Sequence, residues 1–162
     1  MYILIFLFSI ILANLSVAYF GPKAVIINAF ILIGLDLTLR DKLHEQWHGK
    51  NLWMKMFGLI IASGIITYLL NQGAGRIAVA SVSAFCGAMV IDLIVYQRLF
   101  KAKFLIKVNS SNVGSSITDS ILFPTIAFGV FLPWIIFGQI VAKIGGGFLW
   151  SLIIKRKAQR LI

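Results

Sequence analysis

The chain has 162 residues, of which 60% are hydrophobic and only 12% charged, and its mean hydropathy is +0.96. That excludes a soluble globular domain, because so small a fold cannot hide so much apolar surface. The formal net charge of +10 has to be read from its placement along the chain rather than from its size.

A helix needs roughly 20 residues to cross a bilayer, and the chain divides into six such pieces, at about 2–20, 24–40, 53–71, 77–97, 114–133 and 134–154. The expected fold is therefore an all-α integral membrane protein. It is a single domain over 1–162, a bundle of six transmembrane helices. The first helix begins at Tyr2, carries Asn14 at mid-length and ends at Tyr19–Pro22. It lacks the positive flank and small-residue cleavage site of a signal peptide, so it is expected to remain as a span. The second opens after Lys23 and closes on LDLTLRDKLHEQWHGK, a run rich in charge with two histidines. The third starts at Trp53, an interfacial aromatic, and stops at the turn signal NQGAG. The fourth holds the lone Cys86 and, near its far end, Asp92. One cysteine supports neither an internal disulfide nor a cysteine metal cluster.

The stretch Asn109–Phe128 begins as a polar loop and runs into a strongly apolar segment. Read as a helix, Asn112, Ser116 and Ser120 fall at i, i+4, with Ser115, Asp119 and Phe123 on the adjoining row. Pro124 cannot donate to the Ser120 carbonyl, so that oxygen is expected to be free. Close helix packing would explain the serines but not Asp119, since an intramembrane carboxylate faces a partner or a pathway. After Pro133-Trp134 the last helix carries Gln139, Lys143 and a glycine triplet, Gly145–Gly147, and ends in KRKAQR. Lys143 is too central to reach the membrane surface. Two readings stay open: an ion pair with Asp119 or Asp92 that fixes packing, or a ligand site. An ion pair is a poor source of stability, which favours a transport site made of mixed donors and acceptors.

Six spans place Arg40, Lys42, Lys50, Lys55, Arg98, Lys101, Lys103, Lys107, Lys155, Arg156, Lys157 and Arg160 on one side and only Lys23 and Arg76 on the other. Twelve against two is the positive-inside pattern. Both termini are thus expected in the cytoplasm, with anionic lipid heads, not nucleic acid, as the partner of the basic surplus.

His44-Glu45-Gln46-Trp47-His48 spells HExxH, the zinc-protease pattern. It wants a third ligand, which only Asp92 or Asp119 could supply, and the Asp-Gly ligand motif of intramembrane zinc proteases is missing. A solvated helix end accounts better for the two histidines. There is no Walker A and no Ser/His/Asp arrangement. No enzyme activity, cofactor or metal is expected.

Four stretches together resemble the queuosine precursor transporter family, also called the VUT (vitamin-uptake-transporter-like) family. Ala13-Asn14 resembles its Ala-Asn. Asp41, Glu45 and Gly49 resemble its Asp-x-x-x-Glu followed by Tyr-Gly, with the glycine one residue late. Ser115 or Ser116, Asp119-Ser120-x-x-Phe123 and Ala127-Phe128 resemble its Ser…Asp-Ser/Thr-x-x-Phe…Ala-Phe. Gln139-x-x-x-Lys143 resembles its Gln-x-x-x-Lys, although Gly145–Phe148 stands where the family has Thr-Pro.

The resemblance implies a multi-pass importer of the inner (cytoplasmic) membrane that carries 7-deazaguanine bases, preQ0 or preQ1. Substrate-binding residues are then expected at Asn14, Asn112, Ser116, Asp119, Ser120, Phe123, Gln139 and Lys143, with either Phe123 or Trp134 stacking on the ring. Asp41, Glu45 and Asp92 would gate or orient. The partners are the small-molecule base and the bilayer, with a homo-oligomer left open. The rival readings are a substrate-binding membrane subunit of an ATP-driven importer, a non-transporting interaction protein, and the HExxH protease.

Overall fold

Apolar runs of spanning length fold as helices because lipid offers their backbone no other hydrogen-bond partner. The computed structural model describes residues 1–47, 51–99 and 104–159. The side chains at 41, 44–45, 93, 96–97, 104–109, 111, 151 and 154–159 lie outside that description. The regular structure described is all helical. It comprises α1 (Tyr2–Phe20), α2 (Lys23–Asn28), a π-helical segment (Ala29–Ile33), α3 (Gly34–Trp47), α4 (Leu52–Leu70), a 3-10 turn (Gln72–Ala74), α5 (Gly75–Arg98), α6 (Phe104–Phe128) and α7 (Pro133–Gln159). Since α2, the π segment and α3 run end to end, the described chain makes six rods. Tyr2–Phe20, Leu52–Leu70 and Gln72–Asp92 each meet the length and apolarity of a membrane span unaided.

Three boundaries differ from the sequence expectation. Residues 109–113 are not a loop: α6 starts at Phe104. Its hydroxyls bond back along the helix, Ser115 Oγ to the Asn112 carbonyl at 3.1 Å and Thr118 Oγ1 to that of Gly114 at 3.0 Å, so they do not compete with it. The rod expected to stop at 40 continues to Trp47, because Leu39 and Leu43, one turn apart, are fully buried and extend its apolar stripe. The last helix runs to Gln159. Pro124 interrupts nothing visible, being buried inside a continuous α6. That helix ends at Gly129, which takes φ 73°, while Arg76 Nε donates to the Ile126 carbonyl at 3.0 Å.

Short connections make successive rods antiparallel neighbours. The helix pair α5 and α6 packs along its length, α3 lies against α7 and α1, and α4 joins α1 to α5. One apolar cluster, around Phe6, Ile10, Leu43, Met56 and Met89, fills one end of the bundle. A second, around Val17, Val25, Ile77 and Ala127, fills the other. Between them the interior is polar: Ser9, Asn14, Asp36, Ser63, Thr67, Ser81, Ser116, Asp119, Ser120, Gln139 and Lys143 are all buried. Large apolar side chains such as Leu4, Phe8, Ile27, Leu69, Phe137 and Phe148 are exposed instead. This inverts the water-soluble arrangement and suits an outer surface in lipid.

The closest helix approach explains the glycine triplet. A Cβ on Gly146 would overlap the Phe30 carbonyl oxygen, and one on Gly34 would lie 2.7 Å from the Gly146 carbonyl carbon. The π segment and α7 therefore cross backbone to backbone, as small residues permit. Trp150 Nε1 donates to the Ile31 carbonyl at 2.8 Å beside the crossing.

Candidate binding site

Lys143 is the buried cation at the centre of the polar layer, 2% exposed. It rises from α7 one turn after Gln139, so both side chains share a face. Its ammonium has three hydrogens and three oxygens to receive them. Asp119 Oδ2 on α6 forms the ion pair, Ser120 Oγ accepts at 2.9 Å and Gln139 Oε1 at 3.3 Å. The lysine is thereby satisfied. Gln139 is not: its Nε2 is buried with no acceptor among the described residues, although a buried donor without a partner costs about 1–3 kcal/mol.

Two cavities meet at this pair. The larger encloses roughly 370 Å³ of space, its mouth included, and is lined by Asn14, Val17, Val25, Asn28, Ser81 and Phe123 besides Asp119, Gln139 and Lys143. The smaller spans roughly 230 Å³, its open mouth included, and is lined by Leu37, Arg40, Ala88, Ser115 and Ser116 besides Asp119 and Lys143. Ile33, at the end of the π segment, and Phe85 of α5 belong to both. The carboxylate and the ammonium thus border both spaces.

The sequence-derived residues fall into three sets. Asp119, Ser120, Gln139 and Lys143 form one bonded cluster, Asn14 and Phe123 line the larger cavity with it, and Ser116 lines the smaller. Asn14 Nδ2 also donates to Thr67 Oγ1 at 3.4 Å, which ties α1 to α4. Asn112 stands one turn before Ser116, and its Oδ1 accepts from Arg40 Nη2 at 3.1 Å. Asp92 is partly exposed and lines neither cavity. Trp134 is 84% exposed and lines neither, so it does not face the space where a ring would stack. The side chains of Asp41, His44 and Glu45, and all of His48 and Gly49, lie outside the described residues.

Several participants were not singled out from the sequence. Asn28, Ser81 and Phe85 line the larger cavity, and nothing in their spacing distinguishes them from packing residues. Arg40 was counted among the charges at the membrane edge, yet it is 5% exposed and reaches into the polar layer. Asp36, one turn before it, is 1% exposed; the sequence shows it as a polar residue within a span but assigns it no role.

The sequence profile of a protein family described as "Putative vitamin uptake transporter" matches residues 1–155 of the 162. No curated protein and no solved structure matches the chain. The chain belongs to that family of transporters, and it is a membrane protein with a small-molecule substrate.

Proposed function

We propose that this transporter imports the queuosine precursors preQ0 or preQ1 across the inner membrane and binds the base where the two cavities meet. The observation that carries the reading is the buried Gln139 Nε2, a donor without an acceptor, beside a carboxylate and an ammonium on the same pair of helices. A 7-deazaguanine edge presents the complement: N1–H and an exocyclic amino group as donors, and O6 as acceptor. Asp119 takes the paired donors, as a carboxylate does in a fork geometry. Lys143 and Gln139 donate to O6, and Ser120 holds the lysine in position.

Asn14 and Ser116 contact the remaining polar atoms from opposite sides, Phe123 stacks on the ring, and Asn112 holds the entrance of the smaller cavity. Binding exchanges the Asp119–Lys143 contact for two contacts to the base, so neither charge is left bare. Asp41, Glu45 and Asp92 are assigned to gating or orientation, away from the base. Both termini are placed in the cytoplasm on the charge asymmetry. The chain works without a cofactor or catalysis.

The test is rescue of queuosine in tRNA in a host lacking its own importer, supplied with preQ0 or preQ1. The modification should return with this chain and stay absent with its Asp119→Asn, Lys143→Met variant. No rescue with either base, from protein shown to be in the membrane, overturns the substrate assignment.

A further inference from the structure

The polar layer contains a second buried carboxylate that the proposed base site does not use. Asp36 of α3 is 1% exposed and lines neither cavity. Its Oδ1 meets Ser9 Oγ of α1, while its Oδ2 has no partner among the described residues. Buried at 1% exposure and away from both cavities, the carboxyl is not placed to hold the base. The one ligand that needs no cavity is a proton.

The hydrogen-bond geometry accommodates both protonation states. Ser9 has a single hydroxyl hydrogen, yet its Oγ lies near three oxygens: Asp36 Oδ1, the Ile5 carbonyl at 2.8 Å and the Phe6 carbonyl at 3.2 Å. With the carboxylate ionised, the hydroxyl donates to it. With the carboxyl protonated, the acid donates to Ser9, whose own hydrogen turns to Ile5. No heavy atom has to move. A serine bonded only to the carboxylate would lack the second arrangement.

The proton's effect can reach the substrate pathway through Arg40. That guanidinium, one turn along α3, donates from Nη2 to Asn112 of α6, but its Nε is buried with no partner among the described residues. The charged groups whose fields reach Asp36 are Arg40, on its own helix, and Asp119 of α6, itself paired with Lys143 of α7; α1 contributes the Ser9 hydroxyl. An ionised Asp36 competes with Asn112 for Arg40, whereas a neutral one leaves Arg40 bridging α3 to α6 beside the smaller cavity.

We propose that Asp36 is a proton-binding site that couples transport to a proton gradient, with Arg40 as the positioning residue that passes its charge state to α6. One proton is taken up by the carboxylate on one side of the membrane and the same proton is released on the other, so no further reactant is needed. The proposal rests on the family's transport activity and not on which base is carried.

The first test needs no substrate. The full-length protein in lipid should show, by pH-difference infrared spectroscopy, the carbonyl stretch of a carboxylic acid that disappears as pH rises. The band should be lost in Asp36→Asn, kept in Asp119→Asn, and moved in its pH midpoint by Ser9→Ala and by Arg40→Gln. A band unchanged in Asp36→Asn, or no titrating carboxyl band in the wild type, overturns the site. The second test uses proteoliposomes with labelled preQ0 or preQ1. One proton per base supports about tenfold accumulation per pH unit of gradient. Asp36→Asn should abolish that accumulation while leaving gradient-free exchange of the base within about twofold. Accumulation by Asp36→Asn on a proton gradient, or wild-type accumulation on a sodium gradient alone, overturns the coupling. Absence of wild-type exchange of either base overturns the substrate assignment instead, and the infrared result still decides Asp36.

Discussion

Replacing Lys143 by Met removes one ammonium from three oxygens at once, Asp119 Oδ2, Ser120 Oγ and Gln139 Oε1. The largest consequence falls on Asp119, whose side chain is only 12% exposed and would be left as a buried charge without its counter-ion. Breaking such a pair from either side costs about 3–5 kcal/mol, so Lys143→Met and Asp119→Asn should each lower stability by that amount. The double variant carries no stranded charge. Ser120 can turn its hydroxyl to a carbonyl of its own helix, which leaves the Gln139 amide, at about 1–3 kcal/mol, as the main deficit. Two independent substitutions would add to about 6–10 kcal/mol; the pair should instead recover most of that loss. Thermal melting of the full-length protein, followed by its retention on size exclusion, reads this coupling. Uptake of labelled base, normalised to folded protein in the membrane, reads function. The double variant should fold nearly as well as the wild type and transport nothing. Wild-type uptake by the double variant would refute the site, and stability equal to the sum of the single losses would refute the pairing.

The helix crossing gives a test with an internal control. Gly146→Ala sets a methyl against the Phe30 carbonyl oxygen and should cost about 1–3 kcal/mol or more in the same melting assay, whereas Gly58→Ala, which meets nothing within 4 Å, should be neutral or stabilise by up to about 1 kcal/mol. His44→Ala and His48→Ala should leave uptake within about twofold, a small effect on a transition or binding equilibrium; stoichiometric zinc in the purified protein, lost in either variant, would revive the protease reading. A topology reporter fused after Ile162 should be active only when cytoplasmic, because the basic residues gather on that side; periplasmic activity would reverse the orientation.

How much of this was legible in the sequence depends on whether a residue's signal was local. Six rods could be counted because spanning length and apolarity are local properties. Their ends could not, because the hydroxyls of α6 bond back along the helix instead of breaking it, and α3 gains its last turn from two leucines that pack on other helices. Asp119 and Lys143 stood out because charge in mid-span is rare, and the hinge at Pro133 made them neighbours. Arg40 did not stand out, since a count of loop charges treats an arginine at the edge of a span as solvated. Only its burial and its hydrogen bond to Asn112 of α6 reveal that it turns inward. The glycine triplet was visible as composition, but its purpose lies in the partner: the π segment of another rod presents its backbone there. Trp134 illustrates the reverse error, an aromatic placed near the site in sequence that faces outward in space.

The arrangement of the polar layer bears on how a transporter this small can work. A permanently satisfied ion pair would fix α6 to α7 and offer a ligand nothing, because Lys143 already has three acceptors for three hydrogens. What makes the pair exchangeable is the unfilled capacity beside it: Gln139 Nε2 in the same cluster, and Arg40 Nε and Asp36 Oδ2 one helix away. Each unmade bond raises the energy of the empty state by an amount that a ligand or a proton can recover. A base with two donors and one acceptor on one edge can take over the carboxylate and engage the spare amide, leaving Lys143 still bonded. A proton on Asp36 resolves the other two orphans differently, by deciding whether Arg40 belongs to its own helix or to α6. In the proposed scheme the two events would act on the same smaller cavity through different residues, one from α7 and one from α3, and those helices meet where glycine lets backbone touch backbone. A change in either is therefore mechanically available to the other.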